Sequence, residues 1–505
     1  MGNRFKVLLI YPNCMLMNLI PSSIASLSAY LKSYNIDVEL FDTTFYRTED
    51  ESFDQKKMQL LQVKPFTMDV KIKTEEQMYK NLYSMVNVYK PDLIGISLVE
   101  DTIPLGLKLL DKIKAYDCPV IAGGVGATFN SLELIRDENI DAVCIGEGEE
   151  VLLEVCRKVK RDGSLYKDWI GRNIKGLTYK RDDVILNGVV REPIDINKLP
   201  YLDFDIFGED RLKRPMHGTI RKMIHVEVDR GCPYKCSYCA ATKLKNLYSN
   251  CSKNYLRKKS NRRIIEELKY LKDKHSPDYI DINSETFLTR PVDAHRNLME
   301  DFRREIALPF WCQSRPETFI KSKVEALKLG GCTDAQMGIE HGNEEFRKVY
   351  LHRSMSNKQI LKACALLEEQ ELPYSVNNII GWPDETRELV FDTIELNKKI
   401  NPKTHNCYMM TPYKGSWIYD YCIQEGLLEE GSKTHQALTG SDIRYRYMTK
   451  EKFLGLQRCF SLYAKMPDEF TSAITVAEKF DKLGDETFEK LSKEFIRRFY
   501  EKNTK

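Results

Sequence analysis

Two successive runs of short apolar stretches, each followed by a segment with apolar residues at three-to-four spacing, constrain this chain more than anything else in it. Strand-helix alternation buries its apolar faces as a parallel sheet under its own crossover helices, so the expected fold class is α/β. In the first run, residues 1–161, strands are expected at Lys6 to Tyr11, Val38 to Phe41, Leu93 to Leu98, Val120 to Gly123 and Ala142 to Ile145. Helical periodicity fills Pro21 to Tyr34, Glu75 to Tyr89, Leu105 to Tyr116 and Glu149 to Val159. That pattern predicts a doubly wound sheet, whose ligand lies at the carboxyl ends of the strands, on the loops starting at Pro12, Asp42, Val99, Gly124 and Gly146. Residues 162–220 read as a connector with a hairpin, Leu177 to Lys180 and Val184 to Val190. A second run, residues 221–425, offers six strands near Ile224, Ile280, Phe310, Gln336, Ser375 and Cys407, fewer than the eight of a closed barrel. Residues 426–505, rich in Lys and Glu, read as a small helical region.

The charge balance is 77 Lys+Arg against 74 Asp+Glu, so no global field argues for nucleic acid as a partner. The basic stretch through Arg257, Lys258, Lys259, Arg262 and Arg263 reads as the solvated entry to a helix from Ile264 to Lys274, capped by Ser260 or Asn261. No apolar run reaches the roughly eighteen residues of a membrane span, and the opening MGNRFKVLLIYPN is too short in apolar residues for a secretory segment. Fourteen cysteines in such a chain imply thiols kept reduced in the cytoplasm, and clustered thiols imply metal.

One cluster stands out, at the end of the first strand of the second run: Arg230-Gly231-Cys232-Pro233-Tyr234-Lys235-Cys236-Ser237-Tyr238-Cys239. Soft thiolates so spaced suit zinc, copper or an iron-sulfur cluster. A structural zinc site needs four ligands, yet the next cysteine, Cys251, lies twelve residues beyond Cys239. A 4Fe-4S cluster held by three thiolates leaves one iron open, which serves an enzyme that binds something there.

This loop resembles that of radical S-adenosylmethionine enzymes, and segments at the later strand ends agree in order. They are Ile280 through Phe287 (IDINSETF), Trp311 through Arg315 (WCQSR), Gly338 through Gly342 (GIEHG), Ile380 through Thr386 (IGWPDET) and Thr411 through Ser416 (TPYKGS). The order is similar to the radical enzymes that carry an N-terminal cobalamin-binding domain, over residues 3 to 425. The resemblance implies a Rossmann-like cobalamin-binding domain, a partial (β/α)6 radical barrel and a helical C-terminal region. It implies a 4Fe-4S cluster on Cys232, Cys236 and Cys239, with S-adenosylmethionine near Tyr238, Glu285, Gln313, Arg315 and Glu340. The chain departs from the pattern at Ser284, where relatives have an acid, and at His341 and Asn343, where they have serines. His341, His225 and His405 read as structural histidines.

By itself a doubly wound domain accommodates a dinucleotide, a flavin, cobalamin or nothing. The first turn lacks G-x-G-x-x-G, which argues against a dinucleotide. Gly123-Gly124-Val125-Gly126-Ala127-Thr128 and Gly146-Glu147-Gly148-Glu149 look like cobalamin loops, and the resemblance implies contacts from Pro12, Asp42, Ser97, Gly123, Gly124, Thr128, Gly146 and Gly148. Residues 1 to 216 contain no histidine, so no imidazole of this domain ligates cobalt. The expected function is methylation of an unactivated carbon or phosphorus of a small molecule, fed by an external flavodoxin- or ferredoxin-type electron donor. Radical cyclisation or rearrangement with the same cofactors is the enzymatic alternative, and a cobalamin or redox sensor the non-catalytic one. Tyr413, Lys414, Arg446 and Tyr447 are suggested as substrate contacts. No catalytic acid or base is assigned.

Overall fold

A computed structural model describes residues 4–162, 174–181, 184–432, 434 and 436–501. It packs as two compact units, one of Met1–Ser52, Asp69–Lys213 and Lys243–Lys259, the other of Phe53–Met68, Arg214–Thr242 and Ser260–Lys505.

The first unit holds a seven-stranded sheet: β1 (Lys6–Tyr11), β2 (Asp37–Asp42), β3 (Leu93–Ser97), β4 (Val120–Gly123), β5 (Ala142–Cys144), β6 (Leu177–Arg181) and β7 (Val184–Leu186), ordered β2-β1-β3-β4-β5-β6-β7. Strands β1 to β5 pair in parallel, and the hairpin β6–β7 adds an antiparallel edge on β5. The middle residues of KVLLIY are all buried, as expected of a parallel strand covered on both faces. The helix Glu75–Tyr89 opens on a capping box in which Thr74 and Gln77 satisfy each other's backbone N–H, and its buried Met78, Leu82 and Val86 face the sheet core.

The second unit holds β8 (Lys213–Met216), β9 (Thr219–Glu227), β10 (Tyr279–Asn283), β11 (Phe310–Ser314), β12 (Cys332–Glu340), β13 (Tyr374–Ile380) and β14 (Thr404–Met409). The sheet order is β14-β13-β12-β11-β10-β9-β8, with β9 to β14 parallel, so six strands form a partial barrel and β8 extends its edge. Alternate residues of a strand face opposite sides, and the register assigns the sides. Ile280, Phe310, Cys312, Ala335, Met337, Val376, Ile380 and Cys407 form one buried apolar face. The other face carries His225, Glu227, Asp281, Asn283, Trp311, Gln313, Asp334, Gln336, Asn377, Asn406 and Tyr408. The helices Lys450–Lys465 and Lys482–Phe495 bury Phe453, Phe460 and Phe495 with Ile380, Cys407 and Met409, so helices cover the apolar face and the polar face lines the lumen.

The segment Phe53–Met68 leaves its neighbours in sequence to join the second unit. Phe53 stacks on Tyr408 with centroids 6.5 Å apart, Gln62 donates to the Cys407 carbonyl at 2.9 Å, and Leu61 enters the core beside Phe453. Near the turn between β8 and β9, a Cβ on Gly218 would meet Lys64 at 3.0 Å. The segment thus reaches both edge regions of the open sheet. Nothing in its sequence periodicity announces this.

Candidate functional site

Strand β9 ends at Glu227, and Gly231 turns the chain with φ +92° into the cysteine loop. None of the fourteen cysteines is in a disulfide, and Cys232, Cys236 and Cys239 are each partly accessible. Each sulfur has its own neighbour: Thr286 Oγ1 at 3.6 Å from Cys232, Arg315 Nη1 donating at 3.1 Å to Cys236, and the Ala241 N–H donating at 3.5 Å to Cys239. Burial pushes the Cys239 thiol up to about 12, so a metal must displace its proton to bind. Among the described residues no three His, Cys, Asp or Glu side chains converge as ligands of one metal ion. Three separately presented thiols on one short loop suit a cluster whose irons each take one sulfur, and the donor set fits a 4Fe-4S group.

Tyr238 and Glu340 meet through a residue the sequence did not single out. Arg353 donates from Nη1 to the Tyr238 hydroxyl at 2.9 Å and to Glu340 Oε1 at 3.2 Å, and from Nη2 to the Gly338 carbonyl at 2.6 Å. Glu340 sits in left-handed backbone, φ +69°, at a register shift between β12 and β13. Its side chain folds back so closely that a Cβ on Gly338 would lie 1.9 Å from Oε1. Burial raises the Glu340 carboxyl above its ordinary range, opposed by the Arg353 guanidinium. Tyr238 also meets Trp382 edge-on at 6.0 Å. Gln313 donates to the Ser284 carbonyl at 3.0 Å, and Ser284 donates to Asp229 at 2.7 Å, which ties the ends of β9, β10 and β11 together. Glu285 is solvent-accessible yet hemmed in by protein, and desolvation with repulsion from Glu227 raises its carboxyl. No sequence signal marked Arg353, because Tyr238 lies 115 residues away.

Further down the lumen, Asp281 pairs with His225 at 3.1 Å and with Arg214, which hold its carboxyl below the usual range against burial. Gln336 and Asn406 both donate to Asn377 Oδ1, at 2.7 and 3.0 Å. Asp54, on the helix Phe53–Gln59, has its carboxyl raised by burial, opposed by Lys57 and Arg214. The lumen wall is therefore polar over most of its depth. Two of the histidines expected to be structural are buried with partners away from it: His341 bonds Glu385 at 3.0 Å and His405 bonds Asn397 at 2.9 Å. Arg446 is engaged by Asp384 and Glu425, and Tyr447 is 63% exposed.

In the first unit several expected ligand contacts have partners within the protein. Asp42 accepts from the Thr44 amide and hydroxyl and pairs with Arg211 at 2.7 Å. A Cβ on Gly124 would lie 2.5 Å from the Leu98 carbonyl, and one on Gly146 would lie 2.2 Å from the Tyr248 hydroxyl. These glycines thus admit neighbouring chain, Gly124 and Gly146 with φ +97° and +83°. Thr128 donates to the Gly124 carbonyl at 3.0 Å and accepts from the Gly146 amide at 3.1 Å, bridging the loops after β4 and β5. Gly148 packs near Leu27, Gly123 near Cys144, Pro12 is buried and Ser97 is half-buried. The same strand ends expose Val99 (42%) and Val125 (39%).

Residues 226–396 match the radical SAM superfamily and residues 63–156 match the B12 binding domain. The chain is 26% identical over 402 residues to an uncharacterized methyltransferase of Pyrococcus horikoshii, spanning 77% of this chain and 83% of that protein. It is 22% identical over 350 residues to the anaerobic magnesium-protoporphyrin IX monomethyl ester cyclase of Rubrivivax gelatinosus, spanning 66% of this chain and 59% of the cyclase. Among solved structures, the radical S-adenosylmethionine methyltransferase TsrM from Kitasatospora setae, with cobalamin and an iron-sulfur cluster bound, matches with a TM-score of 0.62 at 17% identity. That match covers 84% of this chain and 75% of TsrM, and it shows a shared fold. With both domains matched in one chain and the triple-cysteine loop at the end of β9, this protein is a member of the cobalamin-binding radical S-adenosylmethionine enzymes.

Proposed function

We propose that the enzyme methylates an unactivated carbon or phosphorus of a polar small molecule. When bound, the cluster and S-adenosylmethionine supply a 5′-deoxyadenosyl radical and cobalamin supplies a transferable methyl group. Cys232, Cys236 and Cys239 would hold the cluster, and Tyr238, Glu340 and Gln313, fixed by Arg353 and Ser284, would shape the S-adenosylmethionine site. The Val99 and Val125 surface would receive the corrin. Asp281, Gln336, Asn377 and Asn406 present hydrogen-bonding groups that orient a polar substrate, while the Phe53–Tyr408 stack screens the lumen from water. Fourteen free thiols suit a reducing cytoplasm, and a flavodoxin- or ferredoxin-type protein would deliver the electron.

The observation that carries the reading is the absence of histidine through residue 216 in a chain with a matched B12 binding domain. A cobalt free of an imidazole from its own domain fits methyl transfer toward a radical. Electron paramagnetic resonance on anaerobically reconstituted protein should show cob(II)alamin without a protein-nitrogen splitting beside a reducible cluster. Product formed with methyl-deuterated S-adenosylmethionine should carry the label. An unlabelled product of unchanged methyl count would favour radical cyclisation, the reading to which the Rubrivivax cyclase is similar.

A further inference from the structure

Arg315 stands on the loop after β11, 8% exposed, with each guanidinium nitrogen facing a protein atom. Nε donates to Glu317 Oε1 at 2.7 Å, Nη1 to Cys236 Sγ at 3.1 Å, and Nη2 lies 3.9 Å from the Met355 sulfur. The guanidinium carbon stands 3.7 Å above the centre of the Tyr234 ring, which belongs to the cysteine loop itself. Its own carbonyl accepts from the Thr318 amide at 2.9 Å and hydroxyl at 2.7 Å, so main chain and side chain are both fixed. A guanidinium with its edges engaged in this way is poorly placed to clamp a cofactor carboxylate, which takes two parallel donors from one edge.

We infer that Arg315 is a positioning residue that sets the reduction potential of the cluster through its hydrogen bond to Cys236. The inference rests on the reading that Cys232, Cys236 and Cys239 hold that cluster. One electron arrives from the external donor and adds one negative charge to the thiolate-ligated iron. A fixed cation donating to a ligand sulfur stabilises the reduced form more than the oxidised form, and hydrogen bonds to sulfur are an established lever on such potentials. Arginine serves better than lysine here, because its planar fork bridges Glu317 and Cys236 at once and stacks on Tyr234.

The test is a redox titration of anaerobically reconstituted full-length protein, read by the resonance signal of the reduced cluster, with no S-adenosylmethionine or substrate present. Arg315→Gln is expected to lower the ratio of reduced to oxidised cluster at a fixed potential about tenfold, equivalent to about 59 mV for a one-electron couple. Arg315→Lys, which keeps the charge and loosens its placement, is expected to shift it in the same direction by less. Calorimetric binding of S-adenosylmethionine to the oxidised protein should stay within about twofold of wild type. A midpoint equal to wild type in Arg315→Lys, or in Arg315→Gln with S-adenosylmethionine binding weakened about tenfold, would overturn the inference and make Arg315 a cofactor ligand. If Arg315→Gln fails to retain iron, Arg315→Lys decides. Wild-type protein with no reducible cluster would instead sink the reading of the three cysteines.

Discussion

Arg353 shows how much of the site depends on one side chain. Its guanidinium is 3% exposed and satisfies Tyr238, Glu340 and the Gly338 carbonyl. Removing one partner of a buried ion pair leaves the other charge unpaired and costs about 3–5 kcal/mol. Arg353→Met should therefore lower stability in denaturant titration by that order, and adding Glu340→Gln should recover part of the loss. Gly338→Ala is the converse probe, since its Cβ would displace the Glu340 carboxylate. About tenfold weaker S-adenosylmethionine binding is expected by calorimetry, with iron content unchanged. A pH effect belongs to His295, fully buried with its ring edge-on to Phe287 at 5.4 Å. Burial holds its pKa down to about 4 from 6.5, so between those values the unfolded chain binds a proton that the folded chain refuses. Stability falls as pH drops from 6.5 towards 4, and this group contributes no pH dependence above 6.5. His295→Leu should remove about 2–3 kcal/mol of the wild-type loss between pH 7 and pH 4, measured as the difference between the two proteins' unfolding curves.

At the scale of elements, strands β1, β3, β4 and β5 fall where apolar runs place them, and Ser260 caps the helix Asn261–His275 as its position before the periodic segment suggests. Both are local properties: a buried parallel strand is apolar throughout, and a cap needs only an oxygen three residues before an N–H. The helix Phe53–Gln59 was not legible, because none of its residues is fully buried and its apolar positions show no stripe. What fixes the segment is contact with Tyr408, the Cys407 carbonyl and the core around Leu61, all distant in sequence. An aromatic pair contributes about 0.5–1.5 kcal/mol beyond its buried area. Phe53→Ala is accordingly expected to speed proteolytic cleavage within residues 53–68 several-fold while the rest of the second unit stays resistant, as read by limited proteolysis and mass spectrometry. Equal cleavage rates in both proteins would show that the stack does not hold the segment.

For the whole molecule, the threading of Phe53–Met68 into the second unit makes the units interdependent in covalent terms. A fragment beginning at Arg214 loses Leu61 from its core and both the Gln62 and Tyr500 contacts of that segment. Such a fragment is expected to melt well below the same fragment with residues 53–68 fused to it, by differential scanning calorimetry. Sequence alone determined the chemistry: the spacing of Cys232, Cys236 and Cys239, the ordered motifs from Ile280 to Ser416, and the lack of histidine before residue 217 are covalent facts that no folding alters. It also determined the two βα runs, since hydrophobic periodicity follows from strand and helix geometry. Only the tertiary structure decided who holds whom. Arg315 reaches Cys236 across 79 residues and Arg353 reaches Tyr238 across 115, while Asp42 is taken up by Arg211 across 169. Pairing of buried charges depends on where the sheets bring distant loops together, and periodicity within a short window of sequence carries no record of that.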